Sequence, residues 1–230
     1  MHFEQRFGAR EIKFLVPAAR AEEIRTWARV RLAADPHASG GDTYRVTSLY
    51  FDTNCFDVFH ARGSYGRAKY RVRRYDEAPM VFVERKMRTD CLVSKRRVLI
   101  GIDEVPRIAA NDAGAWSGGW FQRRIEARHL NPVCSITYLR MALVGKHTDG
   151  STIRLTLDDQ LYSGRVEDLT LGEPDRSVRI AGEHQILELK YLGEMPGVFK
   201  ELLAAFPLHR TSVSKYRTAA AALGLAARHA

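Results

Sequence analysis

Strand-like segments with one charged face and one largely apolar face recur along nearly the whole chain, and this alternation limits the folds available to it. In the segment AKYRVRRY, Lys69, Arg71 and Arg73 alternate with Tyr70 and Val72. Successive side chains of a β-strand point to opposite faces, so the three cations share one face. A sheet built from such strands has an ionic side and an apolar side.

The same pattern predicts about eight strands: 9–16, 44–52, 68–75, 80–88, 91–99, 133–144, 152–159 and 184–191. Their ionic faces carry ten cations, namely Lys13, Lys69, Arg71, Arg73, Lys86, Lys95, Arg97, Arg140, Arg154 and Lys190. The carboxylates on these faces are fewer, namely Glu11, Glu84, Asp158 and Glu188. Positive charge therefore dominates one side of the predicted sheet.

Helices are few and lie mainly outside the strand series. Helical patterns cover 18–35, 197–206 and 212–228, a helical or irregular region covers 105–130, and a polar stretch covers 160–182. One long helical insertion among so many strands argues against a doubly wound parallel sheet. No repeat or linker divides the chain, which predicts one α+β domain over 1–230, built on an antiparallel sheet or barrel.

Two arrangements can accommodate an ionic sheet face. In the commoner one, the apolar face forms the core and the charged face lies in water. In the other, a barrel is turned inside out, with helices over its apolar side and charges lining a water-filled lumen. Like charges on neighbouring strands repel unless an anion lies between them, which favours the lumen.

Composition narrows the class of partner. Lys and Arg total 36 against 27 Asp and Glu, a net charge of +9 that favours polyanions. Cys55, Cys91 and Cys134 are far apart, which argues against a disulfide framework or a structural zinc site. No segment approaches the ~20 apolar residues of a membrane span, and residues 1–10 lack the apolar core of a signal peptide. We therefore expect a soluble, cytoplasmic protein.

Nine short motifs, taken in order, resemble the VTC domain, the polyphosphate polymerase branch of the triphosphate tunnel metalloenzymes. They are EIK (11–13), SLYFDT (48–53), KYRVRRY (69–75), VERK (83–86), SKRR (94–97), YLR (138–140), IRLTLD (153–158), ILELK (186–190) and SKY (214–216). Each is weak alone, but the ordered set extends over almost the whole chain.

The resemblance implies an eight-stranded antiparallel tunnel, a closed barrel with an ionic interior, in which the terminal phosphate of ATP is transferred to a growing polyphosphate chain. It implies catalytic roles for Lys13, Arg71, Arg73, Lys86, Arg140, Arg154 and Lys190. It implies substrate binding by Glu11, Lys69, Lys95, Arg97, Tyr138, Ser214 and Lys215, and an Mn²⁺ or Mg²⁺ cofactor at Glu188. ATP and pyrophosphate or polyphosphate are the implied partners, without nucleic acid and without a transmembrane segment.

Two alternatives remain open. A triphosphate hydrolase or cyclase of the same fold is one, although relatives of that kind begin E-x-E-x-K and here Ala9 stands at the first Glu. A polyphosphate-binding module without catalysis is the other, although a metal-binding Glu188 would serve no purpose in it. Ser212 replaces a basic residue of fungal members, which Arg210 could supply.

Overall fold

The computed structural model describes residues 2–5, 9–38, 40–88, 93–110, 115–174 and 176–225. The strands are β1 (His2–Gln5), β2 (Ala9–Pro17), β3 (Ala33–Ala34), β4 (Thr43–Asp52), β5 (Ala68–Tyr75), β6 (Met80–Arg88), β7 (Val93–Gly101), β8 (Asn131–Lys146), β9 (Thr152–Arg165), β10 (Val178–Arg179) and β11 (His184–Leu192). The α-helices are α1 (Ala18–Arg29), α2 (Asp57–His60), α3 (Gly119–Glu126), α4 (Gly197–Ala205) and α5 (Lys215–Ala222). Two 3₁₀ segments cover Gly63–Arg67 and Ile102–Ala109.

The main sheet curls round on itself. Antiparallel hydrogen bonding joins nine strands in the order β1-β7-β6-β5-β4-β8-β9-β11-β2. β6 and β2 lie six positions apart in this order, which in a flat sheet would separate them by roughly 29 Å. Yet the Lys86 Nζ on β6 lies 3.3 Å from a carboxylate oxygen of Glu11 on β2. The sheet therefore encloses a lumen.

The predicted antiparallel tunnel is confirmed, and the solvated open sheet is excluded as the arrangement of the charged face. One detail differs from a closed barrel. Within the described residues the strand order ends at β1 and β2 with no pairing between these two strands. The wall is thus a curled sheet whose two edges are not joined by a described ladder.

The apolar faces of the strands point outward, where helices cover them in two separate cores. In the larger core, Phe121 and Ile125 of α3 pack with strand residues such as Val72 and Val83. Burying a side chain of this size contributes about 1.5–3 kcal/mol. This core supports the half of the wall formed by β4 to β8.

The second core supports the other half of the wall. Ile24 of α1 and Phe199 of α4 are fully buried against Leu155 of β9 and Leu189 of β11. Because each core lies outside the sheet, the interior of the tunnel is free to be polar. The sheet thus has its apolar side on the outside, where the helices cover it.

Element boundaries follow the alternation where it is strong. The predicted strands 68–75 and 80–88 are confirmed with the same bounds. The predicted helix over 18–35 is too long, because α1 ends at Arg29 and residues 33–34 pair with β8. Residues 91–92 of a predicted strand lie outside the described residues, and that strand continues to Gly101.

The prediction that strand 152–159 gives way to a polar stretch at residue 160 is wrong. β9 continues to Arg165, paired with β8 as far as Cys134. Backbone groups form a ladder whatever the polarity of their side chains, so the length of β8 decides where β9 ends. Gln160, with φ 49, lies beside a register shift between the two strands.

The C-terminal helix is shorter than the predicted 212–228. It begins at Lys215, because the Ser214 side chain accepts a hydrogen bond from the Arg217 N–H and caps it. It ends at Ala222, and residues 226–228 lie outside the described part of the chain.

Candidate functional site

The lumen contains three groups of ion pairs, and the first lies between β2, β6 and β11. The Lys13 Nζ is 3.0 Å from both Glu11 and Glu188. Lys190 lies 2.9 Å from Glu188 and 3.7 Å from Glu11, and Lys86 approaches Glu11 at 3.3 Å. Cross-strand pairing of Glu188 with Lys13 and of Lys190 with Glu11 sets this geometry. Two carboxylates and three ammonium groups thus share one site.

Both carboxylates of this group are held in the charged form. Burial opposes ionisation of Glu188, but Lys190, Lys13 and Lys215 outweigh it and hold its pKa well below the ordinary value. Burial and the charge of Glu188 raise the pKa of Glu11, yet Lys190, Lys13 and Lys86 leave it lowered. Neither carboxylate is thus a proton donor at neutral pH.

The second group centres on Glu84, which is 1% exposed on β6. Arg71 Nε lies 2.5 Å from one carboxylate oxygen of Glu84, and Lys95 Nζ lies 2.6 Å from the other. Arg71 also donates a hydrogen bond of 3.2 Å to the Tyr50 hydroxyl. Burial lowers the pKa of Lys95 to about 8 despite Glu84. Burial would raise the pKa of Tyr50, but Arg71 and Arg73 lower it to about 8.

Arg73 is buried in the lumen without a carboxylate partner among the described residues. Its Nε donates to the Ser48 Oγ at 3.0 Å, and its Nη2 donates to the Tyr138 hydroxyl at 3.1 Å. Both partners are neutral acceptors, and Arg71 lies on the same face two residues away. Arg73 is therefore a buried cation available to an incoming anion.

The third group centres on Asp158, which is fully buried on β9. Arg140 binds it with two hydrogen bonds, of 2.6 and 2.8 Å, and Lys215 Nζ lies 2.5 Å from the second oxygen. Burial would raise the pKa of Asp158, but Arg140 and Lys215 lower it to about 2. The Arg140 guanidinium and the Lys215 ammonium also lie 5.3 and 5.0 Å from the centre of the Tyr138 ring.

Arg154 lies at the side of this third group. Its Nη2 is 2.7 Å from Asp35, which follows β3, and donates to the Tyr44 hydroxyl at 2.8 Å. Arg97, by contrast, has no ion pair among the described residues. It lies cross-strand from Glu84 and places its guanidinium 4.9 Å from the centre of the Phe82 ring.

The segment that precedes α5 lies against the lumen. Ser214 accepts a 2.7 Å hydrogen bond from Lys69, and burial lowers the pKa of Lys69 to about 8. The Thr211 N–H donates to the Lys13 carbonyl, which ties the segment to β2. Tyr216 stacks on Tyr50 and donates to Asp52. These contacts place Lys215 at Asp158.

The structure therefore brings all the residues selected from the sequence into or beside one lumen. Six further residues that contact these side chains were not selected: Glu84, Asp158, Asp35, Tyr44, Ser48 and Tyr50. Glu84 and Asp158 lie on the ionic faces of the predicted strands, so the same alternation that selected the lysines and arginines could have selected these two carboxylates. Asp35 lies outside the predicted strands, and no pattern in its neighbourhood marks it.

Positive charge remains in excess after these pairs form. The described lumen cations are Lys13, Lys69, Arg71, Arg73, Lys86, Lys95, Arg97, Arg140, Arg154, Lys190 and Lys215, against the carboxylates Glu11, Asp35, Glu84, Asp158 and Glu188. Guanidinium and ammonium groups bind phosphate oxygens through short charge-assisted hydrogen bonds. A row of them along one lumen suits a linear anion with several phosphate groups.

Solved structures with a similar fold support this interpretation of the architecture. A candidate adenylate cyclase from Bacillus halodurans matches with a TM-score of 0.52 and 14% identity, over 90% of this chain and 96% of its own. A candidate adenylyl cyclase from Hippeastrum, described as having a dominant triphosphatase activity, matches with a TM-score of 0.50 and 15% identity, over 93% and 95%. At these identities the likeness concerns the fold alone.

Curated proteins give no significant match to this sequence. Among the described residues, no helix combines the length and apolarity that a bilayer span requires. The family model of the VTC domain, however, matches residues 8–224, nearly the whole chain. The protein therefore belongs to the VTC domain family.

Proposed function

We propose that this protein is an ATP-dependent polyphosphate polymerase, which transfers the terminal phosphate of ATP to the end of a polyphosphate chain. One observation carries the choice between polymerase and hydrolase. Each lumen carboxylate within the described residues lies within 4 Å of at least one Lys or Arg nitrogen. A carboxylate held in this way is a poor base for activating water, whereas a phosphate acceptor needs no base.

The chemistry of the proposed transfer is balanced without a protein nucleophile. A terminal oxygen of the acceptor chain forms a bond to the γ-phosphorus of ATP, and the bond from that phosphorus to the β,γ-bridging oxygen breaks. The electron pair leaves with ADP, and no proton has to move. Phosphoryl transfer of this kind depends on alignment and on neutralising charge.

The basic side chains that would align and neutralise the phosphates come from several strands of the lumen wall. Arg71, Arg73 and Lys95 lie on β5 and β7, while Lys13 and Lys190 lie on β2 and β11. A phosphate chain between them receives charge-assisted hydrogen bonds from both sides. Lys86, Arg140, Arg154 and Lys215 extend the basic lining, with Lys69, Arg97, Glu11, Tyr138 and Ser214 completing the binding set.

A divalent cation fits this proposal within limits. No three His, Cys, Asp or Glu side chains of the described residues form a metal site by themselves. Glu188 and Glu11 are close to each other, however, and one or two carboxylates together with substrate phosphates are the usual ligands of Mg²⁺. Mn²⁺ or Mg²⁺ held by Glu188 with Glu11 would neutralise phosphate charge during the transfer.

Product analysis tests the proposal. Purified protein is incubated with ATP, Mn²⁺ or Mg²⁺ and pyrophosphate, and polyphosphate length, ADP and free phosphate are measured together. Arg73→Gln and Glu188→Gln are the lumen variants, and Arg20→Gln, on the exposed face of α1, is the matched control. We expect long chains, with one ADP per phosphate incorporated, from wild type and Arg20→Gln only.

Two results would overturn the polymerase assignment. Free phosphate or pyrophosphate without chains identifies a hydrolase or a cyclase of the same fold. No turnover, together with a raised Tm in the presence of tripolyphosphate, identifies a binding module.

A further inference from the structure

A second basic cluster lies outside the tunnel, between α3 and the outer face of β6 and β7. Arg85 on β6 stands cross-strand from Arg96 on β7. The Arg96 guanidinium lies 4.2 Å from the centre of the Trp120 ring, and Arg123 and Arg124 of α3 line the same cavity of about 340 Å³. We call the cavity formed by Arg96, Arg123, Arg124 and Trp120, together with Arg85 beside Arg96, the outer arginine cleft.

The cleft differs from the tunnel in its charge balance. Arg85, Arg123 and Arg124 make no ion pair with any carboxylate in the part of the chain that the structure describes. Burial, followed by the charges of Arg85, Arg123 and Arg124, lowers the pKa of Arg96. Like charges directly opposite on neighbouring strands are destabilising. Three of the four arginines, Arg85, Arg123 and Arg124, thus lie close to another cation without a carboxylate partner among the described residues.

Buried donors in the cleft lack acceptors. Trp120 is 6% exposed, and its indole N–H has no hydrogen-bond acceptor among the described residues. The Nε of Arg85 is likewise buried without one. A buried donor left unpaired costs about 1–3 kcal/mol. Such groups are expected where a ligand supplies the missing acceptor oxygens.

An ordinary solvated helix face does not account for the cluster. Arg123 and Arg124 lie towards the C-terminal end of α3, where the helix dipole favours cations. That effect explains neither Arg85 nor Arg96, which belong to strands beneath the helix. Nor does it explain the half-buried Arg96 stacked on a buried indole.

We propose that the outer arginine cleft is a second anion site, which binds a free oligophosphate, a small molecule with two or more linked phosphate groups. The guanidinium fork matches phosphate oxygens in pairs, and the three guanidiniums that line the cavity offset several negative charges at once. Arg96 lies between Lys95 and Arg97, whose side chains face the lumen, so the cleft and the tunnel occupy opposite sides of one strand.

Titration calorimetry with tripolyphosphate, at fixed ionic strength, tests the cleft. The cleft variant is the double substitution Arg123→Gln and Arg124→Gln, and the tunnel variant is Arg73→Gln. Arg31→Gln is the matched control, since Arg31 also stacks on an indole, that of Trp27 at 4.2 Å, but on the exposed surface. Sulfate at equal ionic strength controls for screening.

We expect one class of binding to be weakened at least tenfold in the cleft variant and to persist in the tunnel variant and in Arg31→Gln. Tryptophan fluorescence should change with the cleft occupancy, because Trp120 lies in the cleft. Unchanged titration and fluorescence responses in the cleft variant would overturn the proposal.

Two further outcomes separate related explanations. Binding lost equally in the tunnel variant would mean one site only, and would reject the cleft. Cosedimentation with vesicles that contain phosphatidylinositol bisphosphate, without binding of tripolyphosphate, would identify a lipid headgroup and reject a free ligand. Failure of the polymerase assay leaves this test unaffected, because the cleft variant keeps the tunnel residues.

Discussion

Glu84, Asp158 and Glu188 act as internal counter-ions of the tunnel, each nearly or fully buried and each contacting at least two cations. A cation taken out of water without a partner is costly, so these carboxylates make the basic lining tolerable in the absence of substrate. They also fix the rotamers of Arg71 and Arg140. The carboxylates thus offset part of the free energy required to bury the cations of a phosphate site.

Glu84→Gln should destabilise the apo protein, because it leaves Arg71 and Lys95 without their shared counter-ion. We expect a loss of about 3 kcal/mol in the free energy of unfolding. Tripolyphosphate should restore much of the lost Tm by supplying negative charge. Thermal melts with and without the ligand measure both effects. Glu23→Gln, which breaks an exposed pair with Arg20, should change stability little, and an equal effect there would contradict the account.

Two arginines of the same lumen should respond in opposite directions. Arg73→Gln removes a buried cation that has only neutral partners, so the apo Tm should stay equal or rise. Arg140→Gln removes the bidentate partner of a fully buried Asp158, so unfolding free energy should fall by about 3 kcal/mol. Chemical unfolding measures the two values. A Tm that falls as far in Arg73→Gln as in Arg140→Gln would make Arg73 a structural residue.

Lys69 gives the tunnel a pH dependence. Its pKa of about 8 in the folded protein lies below the ordinary 10.5, so the folded state holds fewer protons than the unfolded state between these values. Its contribution to stability therefore rises with pH across this window. Ligand binding should weaken over the same window, because the neutral amine attracts phosphate less.

Lys69→Arg tests this dependence, because arginine stays charged throughout. We expect the ratio of wild-type to variant affinity for tripolyphosphate to fall between pH 7 and pH 9. Calorimetry in buffers of different ionisation enthalpy should also show more proton uptake on binding by wild type than by the variant, in which Lys95 still titrates. A constant ratio would mean that Lys69 does not titrate in this range.

At the scale of elements, α5 holds Ser214 and Lys215 at the lumen through Tyr216. The Tyr216 hydroxyl donates to Asp52, which also accepts the N–H groups of Val58 and Phe59. Asp52, at the end of β4, thus joins the start of α5 to α2. The positions of Ser214 and Lys215 therefore depend on a buried hydrogen bond that neither residue makes itself.

Tyr216→Phe should therefore affect binding at a distance. Loss of the hydrogen bond to a buried carboxylate should lower the unfolding free energy by about 1–3 kcal/mol. Affinity for tripolyphosphate should also fall several-fold, because Ser214 and Lys215 lose their fixed position. Tyr162→Phe, on an exposed part of β9, is the control. Unchanged affinity in Tyr216→Phe would show that the other contacts of the segment, with Lys13, Lys69 and Asp158, are enough to position it.

The sequence predicted the elements best where side chains alternate strictly. The bounds of β5 and β6 follow from their alternation, and so does the lumen position of Lys86 and Arg73. Alternation assigns a face but does not say which strands become neighbours. The pairing of Lys215 with Asp158 and of Arg154 with Asp35 therefore could not be predicted, because each joins segments distant along the chain.

At the scale of the whole molecule, the protein has two apolar cores outside its sheet and a charged interior within it. The lumen keeps a surplus of cations, so its mutual repulsion opposes the compact state until an anion binds. Ligand binding should therefore couple strongly to global stability. The motifs predicted this architecture, whereas no signal in the sequence indicated that the described residues of β1 and β2 would form no ladder with each other.

The Tm of the protein should rise with the number of linked phosphates in the added anion when the ionic strength of the solution is held constant. We expect orthophosphate to have the smallest effect, pyrophosphate a larger one and tripolyphosphate the largest, since a longer anion reaches more of the lumen cations. Differential scanning calorimetry at fixed ionic strength measures the order. Equal shifts for the three anions would indicate general screening instead of binding along a tunnel.

The carboxylates of the lumen compete with any incoming anion for the lysines and arginines. A ligand must offer the lysines and arginines more than the partners they already have, and a single phosphate group faces the same competition as a carboxylate. A chain of phosphates displaces several partners in one event, so its advantage grows with each linked group. Under the proposed function, we therefore expect the tunnel to bind abundant small anions weakly and a scarce phosphate polymer tightly, with the number of linked phosphates as the feature that sets affinity.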